Sequence, residues 1–385
     1  MSLSAASRWV ISATLVMASA MGIGRFAYTP LLPEMVAQYN WSFATAGDLA
    51  SANFIGYLVG ALLAPAITQS RYIRIWLAAS LMASALTTYL GAEAHSFNVW
   101  LLVRFLSGVA SAFCLVAVTT HLMFVLAEER QEKFGNVHFA GVGLGILICM
   151  LAIYGGGDVS SQWARLGALS AGLMAVAWFL IGKHQFQPIP TAPQMSFGLG
   201  FDWTLWRLII GYGFFGFGYV VAATFVVAMA QRLDTPGIDV RSVWTVVGLA
   251  FVPSVYLWQW VANRFGLLNT LKLAYLVEAV GVMLAGLSTS YAGLLLACVL
   301  LGGTFGAITA LGLSAARLAA PTRVAFAVSA MTVAFSLGQL LGPALSGRMA
   351  DASGDFVMAS LLAAGLLVAA ALLVRPGEAA APCRN

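Results

Sequence analysis

Charge is what this 385-residue chain has least of: 9% of its residues are Asp, Glu, Lys or Arg, against 61% hydrophobic. Soluble domains carry about a quarter charged residues, which excludes a water-soluble protein and leaves a chain embedded in lipid. There is no basic run either, so nucleic acid is not an expected partner, and the net charge of +5 reads as the lysine and arginine bias of cytoplasmic loops. Cysteine is scarce and scattered (Cys114, Cys149, Cys298 and Cys383), three of the four inside apolar runs, which gives neither a disulfide framework nor a metal spacing. Hydrolase, kinase and redox motifs are missing, and the glycine-rich stretch Gly141-Val-Gly-Leu-Gly145 lies inside a membrane-length run, where a nucleotide fingerprint has no meaning. A membrane enzyme needs acids or histidines clustered at one interface, and a sensor or scaffold needs an output domain; neither is visible. Catalytic groups, cofactors and metals are therefore not expected.

What the chain does have is long apolar runs with short polar breaks. They give twelve spans, at 9–38, 43–68, 74–92, 97–126, 134–156, 162–182, 204–230, 239–262, 268–288, 291–315, 322–348 and 356–374. About twenty apolar residues cross the hydrocarbon core, and the longer runs imply tilt or protrusion. Arg8 followed by an apolar run and Ala18-Ser-Ala20 imitates a cleaved signal peptide, but the apolar pattern continues to Met35 and cleavage would spoil the even count. With the N-terminus inside, thirteen lysines and arginines fall in cytoplasmic breaks against four outside (Arg165, Arg232, Arg241, Arg348), while Arg25 and Arg104 lie within spans. Both termini are therefore expected in the cytoplasm.

The longest break carries Pro188, Pro190 and Pro193, which hold it extended. It divides the chain into residues 1–182, a linker 183–203, and residues 204–385, six spans on each side. The halves echo each other. Gly22-Ile-Gly-Arg-Phe-Ala-Tyr28 in span 1 matches Gly216-Phe-Gly-Tyr-Val-Val-Ala222 in span 7 at an offset of 194, and Arg104-Phe-Leu-Ser-Gly108 in span 4 matches Val299-Leu-Leu-Gly-Gly303 in span 10 at 195. Weak repetition between six-span halves predicts an all-α, twelve-span major facilitator fold of two pseudo-symmetric bundles.

Polar residues inside the spans are the informative ones. Arg25 sits in the middle of span 1, after two glycines and before Pro30 and Pro33. An intramembrane charge is costly and by default functional, so Arg25 is either a fixed positive site for an anionic solute or an arginine locked to carbonyls or a carboxylate. At about 1.5 Å per residue, Asn53 of span 2 lies at the depth of Arg25, with Tyr28 one turn above it. Asp48 is shallower and matches Arg104, which suggests an ion pair that opens and closes during a cycle, or a permanent structural bridge. His121 and His138, near the cytoplasmic ends of spans 4 and 5, are either proton relays or simply hydrogen-bonded. Glu278 lies mid-span 9, outside the expected cavity, either as a proton carrier or as a neutral acid bonded between helices. The second half offers Tyr219, at the repeat position of Arg25, with Thr224 and Gln339.

These motifs resemble the YbfB/YjiJ family of the major facilitator superfamily. The resemblance rests on Gly22-Ile-Gly-Arg-Phe-Ala-Tyr-Thr-Pro-Leu-Leu-Pro33, Asn53-Phe-Ile-Gly-Tyr-Leu-Val-Gly60, Gly216-Phe-Gly-Tyr219, Gly302-Gly-Thr-Phe-Gly-Ala-Ile-Thr309 and Gly338-Gln-Leu-Leu-Gly-Pro343. It covers nearly the whole chain and implies an inner-membrane permease working by alternating access. The likeness of Arg104-Phe-Leu-Ser-Gly108 to the superfamily's span 4 motif implies a role in proton coupling. The loop after span 2, with Gly60, Arg71 and Arg74, is similar to the gating motif but lacks its aspartate; the repeat Asn263-Arg-Phe-Gly266 keeps Arg264 with Asn for Asp. Span 5 lacks the Gly-Pro pair of drug–proton antiporters.

The reading is a secondary transporter of a small organic solute, anionic or zwitterionic, coupled to protons, monomeric, in the cell inner membrane. Arg25, Tyr28, Asn53, Tyr219, Thr224 and Gln339 are expected to bind the solute; Arg104, Asp48, Arg71, Arg74 and Arg264 to couple or gate; and His121, His138 and Glu278 are available to protons. A drug or metabolite efflux pump is the alternative within the class, and a non-transporting membrane sensor or scaffold the alternative from another class.

Overall fold

The computed structural model describes residues 4–68, 72–182, 203–233, 236–321 and 323–375. Twelve helical spans fall on the twelve expected runs: span 1 (Ala5–Tyr39), 2 (Phe43–Thr68), 3 (Ile73–Tyr89), 4 (Phe97–Glu128), 5 (Ala140–Tyr154), 6 (Val159–Ile181), 7 (Trp203–Gln231), 8 (Ser242–Phe265), 9 (Leu267–Leu287), 10 (Tyr291–Ala319), 11 (Val324–Ser353) and 12 (Val357–Leu373). Eleven are long and apolar enough to cross a membrane, span 5 when its leading turn is included (Val137–Tyr154), and span 12 is an apolar helix of 17 residues. The expected linker lies outside the described residues except for Trp203, which opens span 7.

Local signals explain the ends. Ser96, Asp158 and Ser290 sit at the N-caps of spans 4, 6 and 10, accepting from the backbone N–H of Val99, Ser161 and Gly293. These side chains satisfy donors that a helix start leaves orphaned. Asn40, in the left-handed region at φ 51°, stops span 1. Gly266 is the single residue between spans 8 and 9, and its φ of 87° is one that side-chain-bearing residues rarely adopt. That backbone need accounts for the glycine of Asn263-Arg-Phe-Gly266. Span 11 runs five residues past its expected end, because Gly354 (φ 82°), not Arg348, terminates it.

Close glycine contacts make the pseudo-symmetry physical. Gly22 of span 1 lies against the backbone of Val142 and Gly145 in span 5, and Gly216 of span 7 against that of Phe335 in span 11. Within each half, a Cβ on Gly108 would strike the carbonyl of Asn53, and one on Gly302 the carbonyl of Val247. Both members of that pair are shifted by 194. The span 4–span 10 repeat is therefore 194, not 195: Gly302 is the mate of Gly108, and Gly303 has open space where a Cβ would go. Small residues of this kind let membrane helices approach closely.

The halves meet along spans 1 and 7, 2 and 11, and 5 and 8. Thr29 Oγ1 donates to the carbonyl of Ala223, its own repeat mate, so the pseudo-twofold axis passes between spans 1 and 7 at that level. The ionic and capping contacts between the halves lie at the end away from the chain termini. Asp48 takes both Nη atoms of Arg348 at 2.8 and 3.0 Å, and Asp351 accepts from the backbone N–H of Phe43 (2.9 Å) and Ala44 (2.8 Å) at the start of span 2. Glu34 pairs with Arg241 at 2.9 Å, and Tyr154 Oη lies 3.0 Å from Thr245 Oγ1.

Candidate functional site

Span 1 is not a continuous α-helix. Pro30 and Pro33 have no N–H to donate, so they cannot hold the carbonyls four residues before them. Just ahead the helix widens: Gly24 N bonds Ser19 O at 2.8 Å and Phe26 N bonds Met21 O at 3.1 Å, both five residues back, while Thr29 N turns to Phe26 O at 3.3 Å. Wide turns of this kind recur at functional sites. Here the break leaves the Gly24 and Arg25 carbonyls to be satisfied from outside, and span 4 does so. Arg104 donates through Nη1 to Gly24 O (3.3 Å) and through Nη2 to Arg25 O (3.5 Å), and Ser107 Oγ adds a bond to Gly24 O (3.3 Å). A cation suits the carbonyl end of a helix segment, where the backbone dipole is negative.

The same break throws the Arg25 side chain into the interface between the halves. Its guanidinium packs on the rings of Phe54 (4.6 Å) and Tyr57 (4.5 Å) of span 2, in the range of cation–π attraction. From the other half Gln339 of span 11 reaches it, accepting from Nη2 at 3.0 Å, and the Gln339 amide N–H donates in turn to the Tyr219 hydroxyl. Tyr219 is stacked among rings of its own half, 5.3 Å from Phe305 and 5.7 Å from Phe335. Arg25 is 4% exposed and Arg104 3%, and among the described residues neither has a carboxylate within ion-pair distance. Arg25 Nε has no hydrogen-bond partner among the described residues. Two buried positive charges without an acid are electrostatically unfinished.

The structure thus brings Arg25, Gln339 and Tyr219 together as one polar chain across the halves. Tyr28 and Asn53 lie one layer away, on Arg104. The Tyr28 hydroxyl donates to Ala46 O at 2.8 Å with its ring 4.7 Å from the Arg104 guanidinium, and Asn53 Nδ2 donates to Arg104 O at 3.0 Å. Thr224 is buried in span 7 without a side-chain hydrogen bond to the cluster, although the neighbouring Ala223 carbonyl receives Thr29.

The expected Asp48–Arg104 pair is corrected. Asp48 pairs with Arg348, which the extended span 11 brings within reach, while Arg104 faces inward to the broken backbone. Arg74 donates to Gly182 O at 2.8 Å and lies over Trp178, and Arg264 is exposed over Trp260; Arg71 lies outside the described residues. His121 stacks on Trp9 with Nδ1 2.9 Å from Ala117 O, and His138 Nε2 is 3.0 Å from Thr119 Oγ1, so both are set within the N-terminal half away from Arg25.

Glu278 is fully buried and bonded to Thr304 Oγ1, which is also 2.6 Å from Leu300 O. A carbonyl can only accept, and a threonine hydroxyl has one proton. If that proton goes to Leu300 O, the contact with Glu278 needs the proton to come from the carboxyl. In that arrangement Glu278 is a neutral acid bonded between spans 9 and 10.

Sequence reasoning did not single out Phe54 and Tyr57, although their spacing of three places both rings on one helix face. It also missed Thr29, Glu34 and Asp351. Nothing local marks an exposed acid at a helix end as a contact to the other half.

Comparison with known proteins settles the class. Residues 17–375 match the family model described as "Uncharacterised MFS-type transporter YbfB". The chain belongs to that family of major facilitator transporters. It is a multi-pass membrane protein that works on a small-molecule substrate. Among solved structures it is similar to a mutant of the nucleoside transporter NupG (TM-score 0.67, 16% identity, covering 94% of this chain and 98% of that one). It is also similar to a bacterial homolog of the human lysosomal transporter Spinster, in an inward-facing and unoccupied conformation (TM-score 0.61, 16% identity, 97% and 95% covered). A curated relative, a chloramphenicol resistance protein of Streptomyces lividans, is 30% identical over 145 residues, and the match covers 37% of this chain and 36% of that protein's length.

Proposed function

We propose that the protein moves a small anionic or zwitterionic organic solute by alternating access, with Arg25 as the charge that holds it. The observation that carries this reading is the pair of buried guanidinium groups, Arg25 and Arg104, without a carboxylate among the described residues. Arg104 has backbone carbonyls to bond. Arg25 has neutral partners only, the Gln339 amide oxygen and the Tyr57 hydroxyl, and its Nε has none among the described residues, so an arriving carboxylate is its best available partner.

In this reading the two six-span halves, 1–182 and 204–385, rock about the level of Thr29 and Ala223. Bonds between the halves at the end away from the termini hold that end shut; with both termini in the cytoplasm, the state is inward-facing, in the inner membrane. The solute displaces Gln339 from Arg25 and so loosens the tie between the halves. Protons are the coupling ion in this scheme, and a single copy of the chain suffices. The test is uptake of organic acids into proteoliposomes with and without an imposed pH gradient, for wild type and Arg25→Gln. Gradient-driven accumulation lost in Arg25→Gln supports the reading. Accumulation that ignores both the gradient and Arg25 refutes it.

A second reading is export of a drug. It is supported by the partial likeness to a chloramphenicol resistance protein, and it predicts that expression raises chloramphenicol tolerance regardless of Arg25.

A further inference from the structure

The surroundings of Arg25 narrow the chemistry of the solute beyond its charge. We infer that the site takes a monocarboxylate with a flat apolar or aromatic body; the inference rests on the reading of Arg25 as the anion-holding charge.

One charge is on offer. Arg104 is committed to the Gly24 and Arg25 carbonyls, which leaves Arg25 as the only guanidinium that can turn to a solute in this cluster. Its usable edge is defined: Nη2 already bonds an oxygen, that of Gln339, and the adjacent Nε, buried with the rest of the side chain, has no partner. Nε and Nη2 form the parallel fork that one carboxylate fills with two bonds. A second carboxylate would find no second free cation in the cluster.

The walls are rings. Phe54 and Tyr57 flank the guanidinium on one side, and across from them Tyr219 lies 5.3 Å from Phe305 and 5.7 Å from Phe335, at interplanar angles of 13° and 0°. Ring separations of this size are those at which aromatic pairs already touch and attract, so a flat body enters by displacing one ring and taking its place in the stack. Polar groups around the guanidinium are few: the Gln339 amide and the Tyr219 hydroxyl, bonded to each other, and the Tyr57 hydroxyl, bonded to Arg25. The several hydroxyls of a sugar acid would be stripped of water with too few partners to replace it, which is the costly outcome.

The test uses the purified full-length protein in detergent and reads thermal stability against concentration for five probes. These are benzoate and phenylacetate, gluconate as a polyhydroxy acid, succinate as a dicarboxylate, and benzyl alcohol as a neutral ring. Benzoate and phenylacetate are expected to raise Tm in a saturable way at lower concentrations than the other three. Arg25→Gln should weaken their apparent affinity by about ten- to hundred-fold, the loss of hydrogen bonds to a charge, and Arg25→Lys should recover part of it. The ranking on wild type needs no variant to fold. Gluconate or succinate binding best, and dependent on Arg25, overturns the ring-bearing class while leaving the anion reading intact. Benzyl alcohol binding wild type and Arg25→Gln alike overturns the anion reading itself. No shift with any probe overturns the aromatic class.

Discussion

In the proposed cycle Asp351 makes one of the contacts that hold one end shut, and weakening them should open that end without unfolding the protein. Asp351, on span 11, accepts from the N–H of Phe43 and Ala44 and so caps span 2 from the other half. A lost N-cap costs about 1 kcal/mol, with a range of roughly 0.5–2. The neighbouring Asp48–Arg348 pair has side chains 36% and 53% exposed, so its share is about 0.2–1 kcal/mol. All of this is present only while the halves touch. Asp351→Ala together with Asp48→Asn should therefore remove about 1–3 kcal/mol from the closed state alone, lowering the closed-to-open ratio by about 5- to 150-fold. Spin labels at His95 and Thr289 suit the measurement: both are exposed at that end, on opposite halves, and they are repeat mates at an offset of 194. Cys383 must be replaced, whereas Cys114, Cys149 and Cys298 are buried and shielded from label. Double electron–electron resonance should show one short distance in wild type and a second, longer one in the double variant. Asp355→Ala is the control, since Asp355 accepts from Val357 N within its own half. The reasoning is refuted by an unchanged distribution in the double variant, or by an equal shift in the control.

Three further outcomes follow from particular contacts. Gly302→Ala should destabilise the protein by about 1–3 kcal/mol, because its Cβ would strike the Val247 carbonyl, whereas Gly303→Ala should be near neutral; melting in detergent decides, and the reverse order would restore the 195 offset. Glu278→Gln should fold normally, since an amide matches a neutral carboxyl, and an isotope-sensitive band of protonated carboxyl in the wild-type infrared spectrum at neutral pH should vanish in it; no such band means that the acid is ionised. Asp239, in the break before span 8, is held below the usual carboxylate range chiefly by its hydrogen bonds from Arg241. A depressed folded value means that its contribution is complete above the unfolded value of about 3.9 and is lost as pH falls through the folded one. Hydrogen-exchange protection in residues 236–241, taken relative to the intrinsic rate at each pH, should therefore fall on acidification below about pH 4, and Asp239→Asn should blunt the response.

The span count, the twelve-helix class and the place of Arg25 were legible because each rests on one-dimensional signals: hydropathy, an isolated charge, and glycines at a repeat spacing. Gln339 and Tyr219 were reachable for the same reason, as polar groups in apolar runs. The Asp48 partner was not. Depth alone assigned it to Arg104, but direction around the helix decides, and the Arg104 side chain is claimed by carbonyls that only the break in span 1 exposes. That break was half legible: two prolines and two glycines announce a bend, and nothing in them says which neighbour satisfies the freed backbone. Contacts between the halves depend on which end is closed, a property of the state as well as of the chain.

The repeat also explains why the site is lopsided. The mate of Arg25 is Tyr219, and the mate of Arg104 is Cys298, so both guanidiniums belong to the N-terminal half. The mate of Gln339 is Gly145. In the N-terminal half that position is a glycine pressed against the Ala18 backbone, which lets spans 1 and 5 close together. In the C-terminal half the same position carries an amide that projects past Tyr219 to Arg25. One half has used the position for packing and the other for polarity. A pseudo-symmetric frame can rock about its axis without preferring either half, but it cannot by itself orient a solute. These substitutions can. In the proposed cycle an anion held at Arg25 has its charge against the N-terminal half and its body against the rings of the C-terminal half, so that each half keeps hold of a different part of the same molecule as the two move.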